Sequence, residues 1–173
     1  MVGGGTWRTS SVQSAYATLM KKRSSASCAW SMKNFHIYER NTSVGLITQA
    51  ALCLALNVYH EARSENYDGQ MAVAQVTLNR VASEKYPDSI CDVVWQRRQF
   101  SWTHDGKSDT PLDPVAWAVA QNISRIAMAG GGKTSLEDNV MFYHASYAQP
   151  YWSKLFVRTA QYGTHIFYKE NNG

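Results

Sequence analysis

The sequence predicts an α+β fold, mainly helical, that ends in a small C-terminal antiparallel sheet. Three observations carry this. Apolar residues recur at spacings of three and four through Ile47, Ala50, Ala51, Leu54, Ala55 and Val58, and again through Met71, Ala74, Leu78 and Val81. Asp113-Pro114 reads as an N-cap with a first-turn proline, opening a helix that stops at Gly130-Gly131-Gly132. The last quarter then changes period, with β-prone runs at Val140 to His144, Phe156 to Thr159 and His165 to Lys169. Helices first and strands last is the α+β order.

Taken in order, residues 1–9 form a lead-in. Ser11 to Arg23 has Val12, Ala15, Tyr16, Leu19 and Met20 on one helical face and Lys21, Lys22 and Arg23 at the favourable C-terminal end. Ser24 to Ser31 is small and polar, a linker, and Met32 to Tyr38 suits an extended arm. The apolar helix through Val58 ends abruptly in His60, Glu61, Arg63 and Glu65. A second helix follows, with Asp68 as its expected N-cap and Val73, Val76 and Thr77 beside its apolar stripe. The pair reads as a helical hairpin with an acidic corner at Ser64 to Tyr67. Beyond it, Tyr86-Pro87-Asp88-Ser89 is a turn, and Ser89 or Asp88 can cap a short helix holding Ile90, Val93, Val94 and Trp95. Arg97 to Gly106 is polar and aromatic without a period, hence a loop, of the kind that walls a substrate site. On the next helix the apolar set is Val115, Ala118, Val119, Ile123, Ile126 and Ala127, and Gln149 to Trp152 is an aromatic turn.

The chain has 173 residues, 45% hydrophobic and 17% charged, which suits one domain with a real core and excludes a disordered polymer. No apolar run approaches the roughly 18 residues of a membrane span. A secretory leader pattern is missing at the N-terminus. The net charge of +4 is uneven: six basic residues stand against Glu39 alone up to Ile47, leaving eleven basic and twelve acidic beyond. The division expected is therefore 1–47, a basic segment able to touch an anionic polymer, and 48–173, the domain proper. Cys28, Cys53 and Cys91 are odd in number and widely spaced, and free, mostly buried thiols are expected.

The chemistry centres on Glu61. A carboxyl at the end of a buried apolar helix has its ionised form disfavoured, so it holds a proton near neutrality, as a general acid must. Glu65, four residues on, would share its face, and paired carboxylates suggest glycoside hydrolysis. The plainer role for Glu65 is an ion pair with Arg63 or another base. His60-Glu61 resembles the start of a zinc-protease HExxH, but position 64 is Ser. His60, His144 and His165 could make a three-histidine metal site, although strand histidines more often form hydrogen bonds. There is no GxSxG and no phosphate loop.

Several blocks together resemble the SleB-type cell-wall hydrolases, a family of spore cortex-lytic enzymes and related phage lysis proteins. They are Tyr59-His60-Glu61-Ala62-Arg63-Ser64-Glu65, Gly69 to Val81, Tyr86 to Val94, Gln99-Phe100-Ser101-Trp102, Met141 to Ala145, and Gly163 to Tyr168. The resemblance spans about Ala51 to Lys169. It implies a lysozyme- or resuscitation-factor-like domain acting on peptidoglycan glycan strands, with Glu61 as the catalytic acid of a lytic transglycosylase. Such an enzyme cleaves the MurNAc-GlcNAc bond and leaves a 1,6-anhydro-muramyl end. Ser64 stands where the family usually has Gly.

On that footing Glu65, Gln99, Phe100, Trp102, Tyr143, His144, His165 and Tyr168 are the expected substrate-binding residues. Neither metal nor cofactor is expected. The expected setting is a monomeric phage endolysin held in the host cytoplasm until a holin-type partner opens the membrane, or a virion-borne lysin anchored by residues 1–47. No specific nucleic acid is expected as a partner. The rival readings are a zinc-dependent N-acetylmuramoyl-L-alanine amidase and a non-catalytic wall-binding module.

Overall fold

The computed structural model describes residues 47–132 and 134–171. Within them four α-helices precede three strands: α1 (Gln49–Ala62), α2 (Tyr67–Ala82), the short α3 (Ile90–Val94), α4 (Pro114–Met128), β1 (Val140–Ala145), β2 (Val157–Tyr162) and β3 (His165–Lys169). Short 3-10 turns sit at Ser101–His104 and Tyr151–Lys154. The predicted α+β order holds. The helix expected at Ser11 to Arg23 and the arm at Met32 to Tyr38 lie outside the described residues.

Helix α1 is the axis of the domain, packed against α2, α3 and α4. Thr48 caps it, its hydroxyl accepting from the Ala51 N–H at 3.2 Å. Leu54 and Val58 are fully enclosed, and burial of such side chains contributes ~1.5–3 kcal/mol each. Its one buried amide, Asn57, donates to Thr77 Oγ1 on α2 (3.1 Å) and accepts from Trp102 Nε1 (3.4 Å). With both ends satisfied, a polar group can sit in this core without a desolvation penalty left open.

Three expectations need correcting. The N-cap of α2 is Asn66, which accepts from the Gly69 N–H at 2.9 Å, while Asp68 lies in the first turn, where a negative charge still favours the helix N-terminus. The buried stripe of α4 is Trp117, Ala120, Ile123, Ser124 and Ala127, and Val115 is 73% exposed. Counting only aliphatic residues turned the expected face away from Trp117. The thiols are not free: Cys53 on α1 and Cys91 beside it on α3 form a disulfide with Cα atoms 5.3 Å apart, within the usual range for such bridges. Their 38-residue separation hides the pairing until the helices pack. Cys28 lies outside the described residues.

The sheet is antiparallel in the order β1-β3-β2. The β1–β3 register runs from Val140↔Lys169 to Ala145↔His165, with a bulge between Val140 and Phe142. One extra residue there shifts the alternation, so Val140 and Tyr143 both face α2. With Phe167, Ala160 and Tyr162 they cover Ala62, Ala72, Val73 and Val76. On the opposite face, Phe142, His144 and Tyr168 are covered by Trp152 and Phe156 from the segment between β1 and β2. The β2–β3 turn is made at Gly163, in the left-handed region at φ 54°.

Candidate active site

Glu61 occupies the last turn of α1, where the apolar helix meets the inner face of the sheet. Tyr143 on β1 donates its hydroxyl to Glu61 Oε2 at 3.2 Å. Burial raises the Glu61 pKa, opposed by that hydrogen bond and by the positive charge of Arg80. The Tyr143 phenol is pushed well above its ordinary value, first by burial and then by the Glu61 charge, so it stays a donor. Tyr143 reaches Glu61 because α2 holds the start of β1 by its backbone. Asn79 donates to the Glu137 and Val140 carbonyls (3.0 Å each), and Arg80 donates from Nε to the Met141 carbonyl (2.9 Å). Arg80 and Asn79 escaped the sequence reading. The signal was there: Val73, Thr77 and Arg80 follow one another at helical spacing along a face that is otherwise apolar.

Glu65 ends differently. It accepts from the Thr164 N–H (3.1 Å) and from the Thr164 hydroxyl, and Oε1 lies 3.6 Å from His165 Nδ1. Its side chain is 7% exposed. Arg63, the base considered for it, instead lies over the Tyr59 ring at 5.1 Å. A Cβ on residue 163 would overlap Glu65 Oε2, so Gly163 and Glu65 fit as one unit. His165 is buried, which lowers its pKa, against a raising influence from Glu65 and a further lowering one from His144. Its ring meets Tyr143 edge-on at 5.3 Å.

The other expected residues divide between walls. His60 stacks on Trp102 (centroids 4.4 Å apart, 18° between planes) and donates from Nε2 to the Asp109 carbonyl at 3.0 Å. Trp95, 44% exposed, meets Trp102 edge-on, so this wall presents one open aromatic ring beside buried ones. Phe100 is buried with the Arg80 guanidinium over its ring, and Gln99 is half-buried in the preceding turn. His144 and Tyr168 stack on each other across the opposite face of the sheet, joined by a 3.0 Å hydrogen bond. Strand alternation therefore separates them from Tyr143 and Glu61. It also keeps His144 from joining His60 and His165 in a metal site. Among the described residues, no three His, Cys, Asp or Glu side chains are grouped to hold an ion.

Residues 64–168, more than half of the chain, match the family described as Cell Wall Hydrolase. The chain belongs to that family. The cell wall hydrolase match begins three residues after Glu61. Curated relatives include the spore cortex-lytic enzyme of Oceanobacillus iheyensis, 33% identical over 67% of this chain and 40% of that protein, and that of Bacillus subtilis, 30% identical over 73% and 37%. The chain thus spans about two fifths of the length of the curated relatives it matches. Two solved structures are similar. The catalytic domain of the Bacillus cereus SleB protein has a TM-score of 0.55 at 28% identity, covering 73% of this chain and 94% of that one. The catalytic domain of the germination-specific lytic transglycosylase SleB from Bacillus anthracis has a TM-score of 0.60 at 29% identity, covering 74% and 100%.

Proposed function

We propose that this cell wall hydrolase is a lytic transglycosylase that cleaves the MurNAc-GlcNAc bond of peptidoglycan, with Glu61 as its acid. The observation that carries this is the setting of Glu61: a half-buried carboxyl at the end of an apolar helix, with its pKa raised by burial and a single phenolic donor on one oxygen. Such a group holds its proton to higher pH than a free carboxyl and hands it to the glycosidic oxygen as the bond breaks. The resulting carboxylate then accepts the proton of the muramic acid 6-hydroxyl, whose oxygen closes on C1 to leave the 1,6-anhydro end. One carboxyl serves both transfers, each worth about 10²–10⁴-fold. Glu65, with both oxygens engaged by Thr164, is not required as a second acid. The germination-specific lytic transglycosylase among the similar structures supports the same chemistry.

The test is mass spectrometry of muropeptides released from purified peptidoglycan, with Glu61→Gln as control. Anhydro-muramyl products that vanish in the variant support the proposal. Hydrated reducing ends would make the protein a hydrolase, and freed stem peptides with intact glycan would return the amidase reading.

For the biological setting we propose a phage lysin acting in host lysis or entry, as a monomer needing no cofactor, with a holin-type or virion partner. Support comes from the resemblance to phage lysis proteins and from the basic residues before Ile47. The Cys53–Cys91 disulfide suits a protein that works outside a reducing cytoplasm. Deleting residues 1–46 separates the two settings: a virion lysin loses incorporation into particles, whereas a free endolysin loses wall affinity at most.

A further inference from the structure

Arg80 is only 5% exposed, yet among the described residues no carboxylate lies within ion-pair distance of it. Its guanidinium carbon sits 5.4 Å from the centroids of both Tyr86 and Phe100, and Nε is held by the Met141 carbonyl at 2.9 Å. One terminal nitrogen, Nη1, is buried without a hydrogen-bond partner among the described residues. A buried charge left unpaired is costly, and a helix ending in this core could carry an apolar residue at that position with no such cost. Met141, which Arg80 holds, lies two residues of strand from Tyr143, the hydroxyl donor to Glu61.

We propose that Arg80 is a positioning residue for the acid: its fixed, desolvated positive charge steadies the Glu61 carboxylate whenever the proton is on the substrate, while its Nε bond sets the β1 backbone that aims Tyr143. This rests on the assignment of Glu61 above and adds to it the source of the compensating charge. Burial alone would leave Glu61 an acid too reluctant to part with its proton. The Tyr143 bond and the Arg80 charge both oppose burial, and the net direction is still upward. The titratable and charged groups facing this centre are Glu61 from α1, Arg80 from α2, Tyr143 from β1 and His165 from β3, with Glu65 behind His165. Arg63 is exposed over Tyr59. Arg80 is thus the buried permanent cation of the group.

The experiment is a 13C NMR titration of the Glu61 carboxyl in wild type, Arg80→Gln and Arg80→Lys, run without substrate, beside pH profiles of muropeptide release. Arg80→Gln keeps an N–H for the Met141 carbonyl and removes the charge. The Glu61 titration is expected to move to higher pH by half a unit or more, with release slowed about tenfold or more and its alkaline limb moved up. Arg80→Lys keeps the charge and loses the Nε donor, and its titration is expected to move up by less than that of Arg80→Gln. If Arg80→Gln leaves the Glu61 titration in place while thermal stability falls, Arg80 is structural and the proposal is overturned. Should Arg80→Gln not fold, Arg80→Met beside Arg80→Lys decides: both lack the Nε donor and differ in charge, and equal Glu61 titrations in the two overturn it. Because the titration needs no substrate, its failure is distinct from a failure of the transglycosylase assignment, which is read from the products.

Discussion

Glu61 and Glu65 stand four residues apart at one helical corner and end in opposite chemistry. Glu61 is half-buried, with one donor, Tyr143, on one of its oxygens. Glu65 has both oxygens taken, by the backbone and hydroxyl of Thr164, with His165 close by. The first is a carboxyl whose charged form is under-served, so it keeps a proton. The second is a clasp that ties the α1–α2 corner to the β2–β3 turn. The difference teaches that a carboxylate's role is set by how many of its lone pairs the fold has already filled, not by its place in a motif.

The strongest way to break this comparison is Glu61→Gln, which keeps shape and loses the proton. Release of muropeptides is expected to fall by about 10²–10⁴-fold without loss of the fold. A rate near wild type would remove Glu61 from the chemistry. The clasp is probed by Gly163→Ala, whose new Cβ would overlap Glu65 Oε2 at a left-handed backbone position. A loss of ~1–3 kcal/mol is expected in denaturant unfolding. Glu65→Ala should match it in size, since it removes two hydrogen bonds to a carboxylate. If either variant kept full stability but lost activity selectively, Glu65 would belong with the substrate after all.

A subtler contrast is in the pH dependence of stability. The unfolded chain releases the Glu61 proton near 4.5, whereas the folded chain holds it to higher pH. The associated stability is therefore complete below about pH 4.5 and lost as pH climbs through the raised value. Gln does not titrate, so Glu61→Gln should gain stability over wild type as pH rises above about 4.5. Thermal unfolding across that range checks it, and parallel curves would contradict the raised pKa. The smallest effect expected is from Tyr143→Phe. It removes a donor that lowers the Glu61 pKa, so the alkaline limb of the activity profile should rise in pH, with a loss of activity of ~10-fold, on the order of 1.4 kcal/mol in the barrier.

Much of this was legible beforehand, and what was not has a physical reason. Helix α1 declared itself through its unbroken apolar run, and Asp113-Pro114 marked the start of α4, because caps and periodicity are local properties. His144 and Tyr143 looked equivalent in sequence, but adjacent strand residues point to opposite faces, and only the pairing of β1 with β3 says which is inside. The Cys53–Cys91 bridge and the grip of Asn79 and Arg80 on β1 depend on elements far apart in the chain. No periodicity registers such contacts.

The bulge at Met141 gives the site a point of attachment as well as a change of alternation. Upstream of it, strand and helix are fastened by Asn79 and Arg80; downstream, every side chain of β1 is sorted by parity. Removing that single residue would leave a regular ladder, with Phe142, Tyr143 and His144 against the same β3 partners, but it would take away the carbonyl that Arg80 holds. A protein diversifying this wall can exchange the rings of the outer face, but the residue surplus to the ladder is the one its buried cation grips.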